Sequence, residues 1–515
     1  MRLRHALWPL PVLLGLTLPA AAAPAVQASG DGRVATVSTP QTPPVVVAAP
    51  ADIWRPVVQG RLKNGVRYAI LPRHANEPGV GLLMRNEGGF IAERRPGERG
   101  LAHLIEHIAF RSPTRAAPDE LHRFMRVGLP LTFPAPTAAT TSWRESNYFV
   151  STRATQPADI DRLLGMFREV AGELTFRADA VDAERASVMR EMADKKLGND
   201  IYAAYIATVA PGSPTDVIDA QNSDDVPTAS VETIRALYHR LYRPENIMIV
   251  VVGDVDPSRM TELIDKRFGD WRAVGPAPDR APIPRFRSDR IAPISYSTLK
   301  YGRYGAMVAV TAPLPSSLPS RRGQAEAMLM EMLTIRAATN RLALARGDYP
   351  PGKYGMFIEN GEHGHRLLML WDDFVPGRWR EAVAGLSRTT CELRTAGLSE
   401  AEWSTAKRDV MADLERRTQD MARAPNVELA KDLSHALADG RDLIPPDELL
   451  RHARTWMPTI GAATANNWWR RQWKADTEQL RVESPELATV ENPGATIRAT
   501  VDDAVRDLGC KVRPS

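Results

Sequence analysis

The feature that most limits how this chain can fold is a restart in its order of elements. Strand-like GVRYAILPR (65–73) and VGLLMRNEGG (80–89) lead into an apolar helix at 100–110. A helical run, DRLLGMFREVAGEL (161–174), and a buried strand, NIMIVVVGD (246–254), follow. Then AVGPAPDRAPIPRFRSDRIAP (273–293) interrupts with proline and arginine and no apolar period, as a linker does. Beyond it the order begins again, with a strand at 304–313, a helix at 321–345, a strand at 365–375 and further helices. At 515 residues the chain exceeds one core, so this restart predicts an α+β protein of two homologous α/β-sandwich repeats, each a sheet packed by helices. The repeats are expected over 51–272 and 294–485, with a C-terminal tail over 486–515.

The chain opens MRLRHALWPLPVLLGLTLPAAAAPA, a basic start, an apolar stretch and a small-residue end. That is the layout of a secretory signal, expected over 1–23, and the Pro/Ala/Val-rich 24–50 reads as a disordered lead-in. No later segment reaches the roughly 18 to 20 apolar residues of a membrane span, so the mature chain is expected to be exported, periplasmic or secreted. Lys and Arg outnumber Asp and Glu by 66 to 62, and by only two once Arg2 and Arg4 leave with the signal. So even a balance excludes a nucleic-acid partner as the leading reading. Cys391 and Cys510 leave two readings open, a bridge tying the tail to the second half or two buried thiols.

The chemistry concentrates in GLAHLIEHIAF (100–110). On a helix, positions four apart share a face, so His103 and His107 can offer ring nitrogens to one cation. Glu106 sits beside that face, where a carboxylate reaches a metal-bound water without being a ligand, as a general base must. Two imidazoles and a carboxylate suit zinc and leave a fourth position for water. Two core histidines would give the same spacing, so a third ligand is required. VDAERASVMREMADKK (181–196) supplies Glu184 and Glu191, two turns apart on one helical face. One can bind the metal while the other supports the site, and spacing alone does not choose between them.

These segments carry a resemblance. Residues from about 60 to 275 resemble the insulin-degrading-enzyme and pitrilysin family of metallopeptidases, with its two-domain bacterial and mitochondrial-processing relatives. RGLAHLIEHIAFRSP (99–113) is similar to the family's Gly-x-Ala-His-x-x-Glu-His-x-x-Phe segment. ERASVMRE (184–191) resembles its acidic helix, and YRPENIMIVVVGDVD (242–256) its Tyr-x-Pro-x-Asn run into a closing strand. The resemblance implies a zinc endopeptidase acting on unfolded peptides, with His103, His107 and Glu184 as ligands, Glu106 as general base and Glu191 in support. It implies half of a clamshell chamber, completed by a second copy or a related two-domain chain, and a peptide that adds to a sheet edge. TAATTSWRESNYFV (137–150) departs from the family by placing Ala138 where an asparagine is usual. From about 295 to 485 the chain resembles the non-catalytic repeat, where an arginine and a tyrosine hold the substrate carbonyl. RLALARGDYPPGKYGMF (341–357) offers Arg346 with Tyr349 or Tyr354, of which Arg346 and Tyr354 are the expected pair. A non-catalytic or weakly active partner subunit of a two-chain peptidase is the alternative.

Overall fold

The computed structural model describes residues 57–74, 79–132, 138–142, 144–196, 223–279, 292–298, 304–313, 319–347, 352–360, 365–421, 423–441, 443–473 and 477–510. The expected signal and lead-in, much of the 273–293 linker, and Tyr349 lie outside the described residues.

The first repeat runs β1 (Val58–Arg61), β2 (Arg67–Pro72), β3 (Val80–Asn86), α1 (Leu101–Arg111), α2 (Glu120–Val127), β4 (Ala139–Thr141) and β5 (Ser146–Thr152). It continues with α3 (Pro157–Gly172), α4 (Ala178–Lys196), α5 (Val231–Leu241), β6 (Ile247–Gly253) and α6 (Pro257–Phe268). The second contains β7 (Ile294–Ser297), β8 (Gly305–Pro313), α7 (Arg321–Arg346), β9 (Tyr354–Asn360), β10 (His365–Asp373) and α8 (Trp379–Arg394). After these come α9 (Glu400–Met421), α10 (Asn426–Ala438), α11 (Pro446–Trp456), α12 (Ala462–Gln472), β11 (Gln479–Glu483) and α13 (Pro493–Val505).

The two sheets show the repetition directly. The first has the order β1-β2-β6-β3-β5-β4 and the second β7-β11-β8-β10-β9. Without β1, the sheets match strand for strand. In each, the first and last strands of the repeat pair in parallel, β2 with β6 and β7 with β11, and the other pairings are antiparallel.

In the first sheet both faces are covered, which is why β3 and β6 are buried along their whole length. Side chains alternate across a strand. Leu82, Met84, Ile249 and Val251 therefore join the core under α1, α3 and α5, while Leu83, Met248, Val250 and Val252 meet Val427, Leu429, Ala430 and Leu433 of α10. A helix of the second half thus lies on the sheet of the first. Its start comes so close that a Cβ on Gly81 would stand 2.3 Å from the Val427 backbone nitrogen. Arg73, almost fully buried, donates to the carbonyls of Met421 and Ala424 at 2.7 Å and to Asn426 Oδ1 at 2.9 Å. Asn426 Nδ2 in turn donates to the Gly79 carbonyl at 2.9 Å.

Cys391 on α8 and Cys510 are bonded, which closes the alternative left open by the sequence. The segment expected as a tail from 486 carries α13, which packs on α8. Among the described residues no helix is long and apolar enough to cross a membrane.

Candidate metal centre

Helix α1 is held by one face and used by the other. Leu101, Ala102, Leu104, Ile105, Ile108 and Ala109 are buried in the first core, leaving His103, Glu106 and His107 on the remaining surface. The start of the helix is set by Gly100, at φ +85°, and by Glu93, whose carboxyl accepts from the backbone N–H of Gly100 (2.9 Å) and Ala102 (2.7 Å). Burial, with the charges of Glu98 and Asp225, pushes the Glu93 carboxyl up to about 8 against those two bonds.

Across from α1 lies α4. Glu191 Oε2 stands 3.3 Å from His107 Nε2 and 3.7 Å from His103 Nε2, and one donor atom from each of the three residues falls within 4.8 Å of the others. Tetrahedral donors at about 2.0–2.1 Å from zinc are about 3.3–3.4 Å apart, so the spacing of this His, His, carboxylate set fits zinc. Glu184, almost fully buried, is on the other edge of the same ring, its Oε2 3.3 Å from His107 Nδ1. Arg111 Nη1 approaches Glu184 Oε1 at 3.9 Å.

The sequence reading expects Glu184 as the ligand and Glu191 in support, and in the structure the two glutamates meet different edges of His107. Glu191 Oε2 lies near Nε2 of both histidines, and Glu184 Oε2 lies near Nδ1 of His107. Glu191 groups with the two histidines in a set that could hold a metal ion, and Glu184 is hydrogen-bonded to His107 Nδ1. Burial draws the His107 ring down, but its hydrogen bonds to Glu184 and Glu191 and the charge of Glu106 outweigh this and raise it to about 9. The metal-free ring is therefore protonated between two carboxylates at neutral pH.

Below Glu106, Tyr148 of β5 and Tyr242 at the end of α5 share a hydrogen bond between their hydroxyls. Both phenols are buried and feel the Glu106 charge, and both titrate above the ordinary range, chiefly from burial. The sequence reading missed this pair and Glu93, because their closeness to α1 depends on the fold rather than on spacing. Arg346 and Tyr354 stand elsewhere. The Arg346 guanidinium lies 4.3 Å over the Tyr354 ring and Nε donates to Asp372 at 2.9 Å, so both are engaged within the second repeat and neither joins the donor group. Ala138, whose carbonyl accepts from Phe149 N–H at 2.9 Å, precedes β4, the outer strand of the first sheet.

Two matching sheets, with an inverted His-x-x-Glu-His helix facing an acidic helix, define a metallopeptidase-like half-chamber. The profile of the insulinase family (peptidase family M16) matches residues 88–201, and that of the peptidase M16 inactive domain matches 228–410. Together they take in more than half of the chain, which belongs to the insulinase-like M16 peptidase family. The probable zinc protease PqqL of Escherichia coli is 29% identical over 254 residues, 47% of this chain and 26% of that protein. The crystal structure of the E. coli periplasmic protease PqqL superposes with a TM-score of 0.72 at 20% identity, covering 89% of this chain and 51% of that one. Its separately crystallised first half gives a TM-score of 0.71 at 20% identity, covering 89% of this chain and 98% of that half. This chain thus spans about half the length of PqqL.

Proposed function

We propose that this protein is an exported zinc-dependent endopeptidase that hydrolyses unfolded peptides. The observation that carries the reading is the convergence of His103 Nε2, His107 Nε2 and Glu191 Oε2 beside Glu106. When bound there, zinc supplies Lewis acidity to a water and to the scissile carbonyl. Glu106, on the same helix and outside the donor group, accepts a proton from the attacking water and returns it to the leaving amine. Glu184 holds the Nδ1–H of His107, keeping the Nε2 lone pair toward the site.

The outer strand β4 packs beside α1, which favours an extended peptide adding to that edge. Ala138 brings no side-chain amide to hold it there, so backbone pairing carries more of the binding. A second two-repeat half, from another copy or a related chain, would close the chamber. The Cys391–Cys510 bond suits an oxidising compartment, and PqqL is described as periplasmic. The reading of a weakly active partner subunit is favoured only by Ala138 and by the inactive-domain profile over 228–410, whereas the donor set lies in the first repeat.

The test is metal analysis of the purified chain with cleavage of a quenched, unstructured peptide. About one zinc per chain is expected, with activity lost on chelation and restored by zinc. Metal-free protein cleaving at the original rate would exclude the proposal.

A further inference from the structure

Arg111 ends the face of α1 that carries both histidines, and its side chain is exposed. We propose that its guanidinium binds a carboxylate of the substrate, so that the protein selects unfolded peptides with an Asp or Glu side chain close to the bond that is cut. The inference rests on the peptidase reading and deepens it by naming a substrate class.

His103, His107 and Arg111 follow one another at intervals of four along α1, one above the next. Arg111 is about 6 Å along the axis from His107, and helical side chains lean toward the N-terminus, here toward the histidines. Arg111 Nη1 stands 3.9 Å from Glu184 Oε1, and the other oxygen of that carboxylate is 3.3 Å from His107 Nδ1. The guanidinium therefore lies within about 10 Å of that ring, the reach of about three residues of an extended peptide.

The donors of Arg111 are open to a ligand. Its side chain is 59% exposed, and among the described residues it makes no hydrogen bond. Glu184, at 3.9 Å, is beyond hydrogen-bond distance, almost fully buried and already engaged by His107. Where an arginine of this protein holds an acid in place it bonds it closely, as Arg240 does Glu98 at 2.6 and 2.7 Å. Glu120, at the start of α2, feels the charge of Arg111 but is not ion-paired with it. Arg123, the other cation beside Glu120, is taken up by the carbonyls of Ala109 and Ser112. The two acids thus favour a cation at this place, and neither fills its fork. A guanidinium offers five N–H donors in a plane that matches a carboxylate, and two charge-assisted bonds at about 2.8 Å are stronger than the contact to Glu184. Asn or Gln at the same place has one acceptor oxygen and no charge, so the amide twin of an acidic peptide measures the effect.

The test uses pairs of unstructured peptides that differ by Asp against Asn, or Glu against Gln, at one position scanned along the sequence. Cleavage by the zinc-loaded full chain gives the ratio of kcat/KM within each pair. Binding to zinc-loaded Glu106→Gln, read by fluorescence anisotropy, gives the same comparison without turnover. The acid should be favoured by about tenfold or more at a position within about three residues of the cut. Arg111→Gln should bring that ratio to about one, and Arg111→Lys should keep part of it, since the charge remains without the fork. A residue that merely supports Glu184 would, when replaced, lower both members of each pair alike and leave the ratio unchanged. That result overturns the proposal, as does a ratio of about one in the unaltered chain. Peptides amidated at the C-terminus should keep the preference, and its loss would assign the carboxylate to the chain end and overturn the choice of an acidic side chain. Acid-selective binding without cleavage would refute the peptidase reading alone, and cleavage without acid selectivity would refute this inference alone.

Discussion

Glu191 Oε2 lies 3.3 Å from His107 Nε2, on the ring edge that also faces His103. In the proposed centre the third donor is the glutamate of α4 that meets this edge. Glu191→Gln should abolish tight zinc binding, whereas Glu184→Gln should weaken it by about 10- to 100-fold through loss of the ring's orientation. Chelator competition on the two variants measures this. Greater zinc loss in Glu184→Gln would favour the ligand role that the family resemblance implies for that residue.

Zinc binding should release a proton. The metal-free His107 ring is raised to about 9, above its ordinary 6.5, so below about pH 9 the metal displaces a proton from it. Apparent zinc affinity should rise with pH, by up to about tenfold per unit, and level off above about 9. For the metal-free chain the linkage runs the other way. The stabilising contribution of His107 is complete below about 6.5 and is lost as pH rises through about 9. Calorimetry in buffers of different ionisation enthalpy counts the proton, and a count of zero at pH 7 would refute the protonated pair.

The union of the two repeats should be sensitive to Arg73 and Gly81. Arg73→Met strands the Met421 and Ala424 carbonyls, at about 1–3 kcal/mol each, and Gly81→Ala drives a methyl into the Val427 backbone. Both should lower the urea midpoint and open the 421–427 turn to proteolysis. Unchanged midpoints would mean that α10 is not seated on the first sheet as described.

Opening the Cys391–Cys510 bond should loosen the C-terminal helix without touching the metal. Its ends are 119 residues apart, and closing a loop of that size stabilises by about 3–5 kcal/mol. Cys391→Ser with Cys510→Ser should therefore lower the thermal midpoint by several degrees while zinc content stays at the wild-type level. Zinc loss in that variant would tie the two repeats more closely than the fold shows.

Much of this was legible in the sequence wherever the information is local. His103 and His107 are one turn apart on a single helix, so their shared face follows from helical geometry alone. The unbroken apolar run Ile247–Val252 signals a strand covered on both faces, but does not say that the cover is α10, about 180 residues later. Which of Glu184 and Glu191 meets the Nε2 edge was hidden for a related reason. Both lie on the same face of α4, and only the way α4 docks on α1 decides which one meets Nε2. Arg346 and Tyr354 were placed by analogy of residue type, and the structure engages them with each other and with Asp372. The Tyr148–Tyr242 contact joins residues 94 apart and left no mark in any single stretch.

The most direct test of the account is the Glu106→Gln variant, assayed together for zinc and for cleavage of an unstructured peptide. Glu106 stands outside the donor group, so the variant should keep about one zinc per chain. Turnover should fall by about 10²- to 10⁴-fold or more, because the proton of the attacking water has lost its acceptor. Loss of zinc would make Glu106 a ligand, and cleavage at the wild-type rate would mean that this helix does not carry the chemistry.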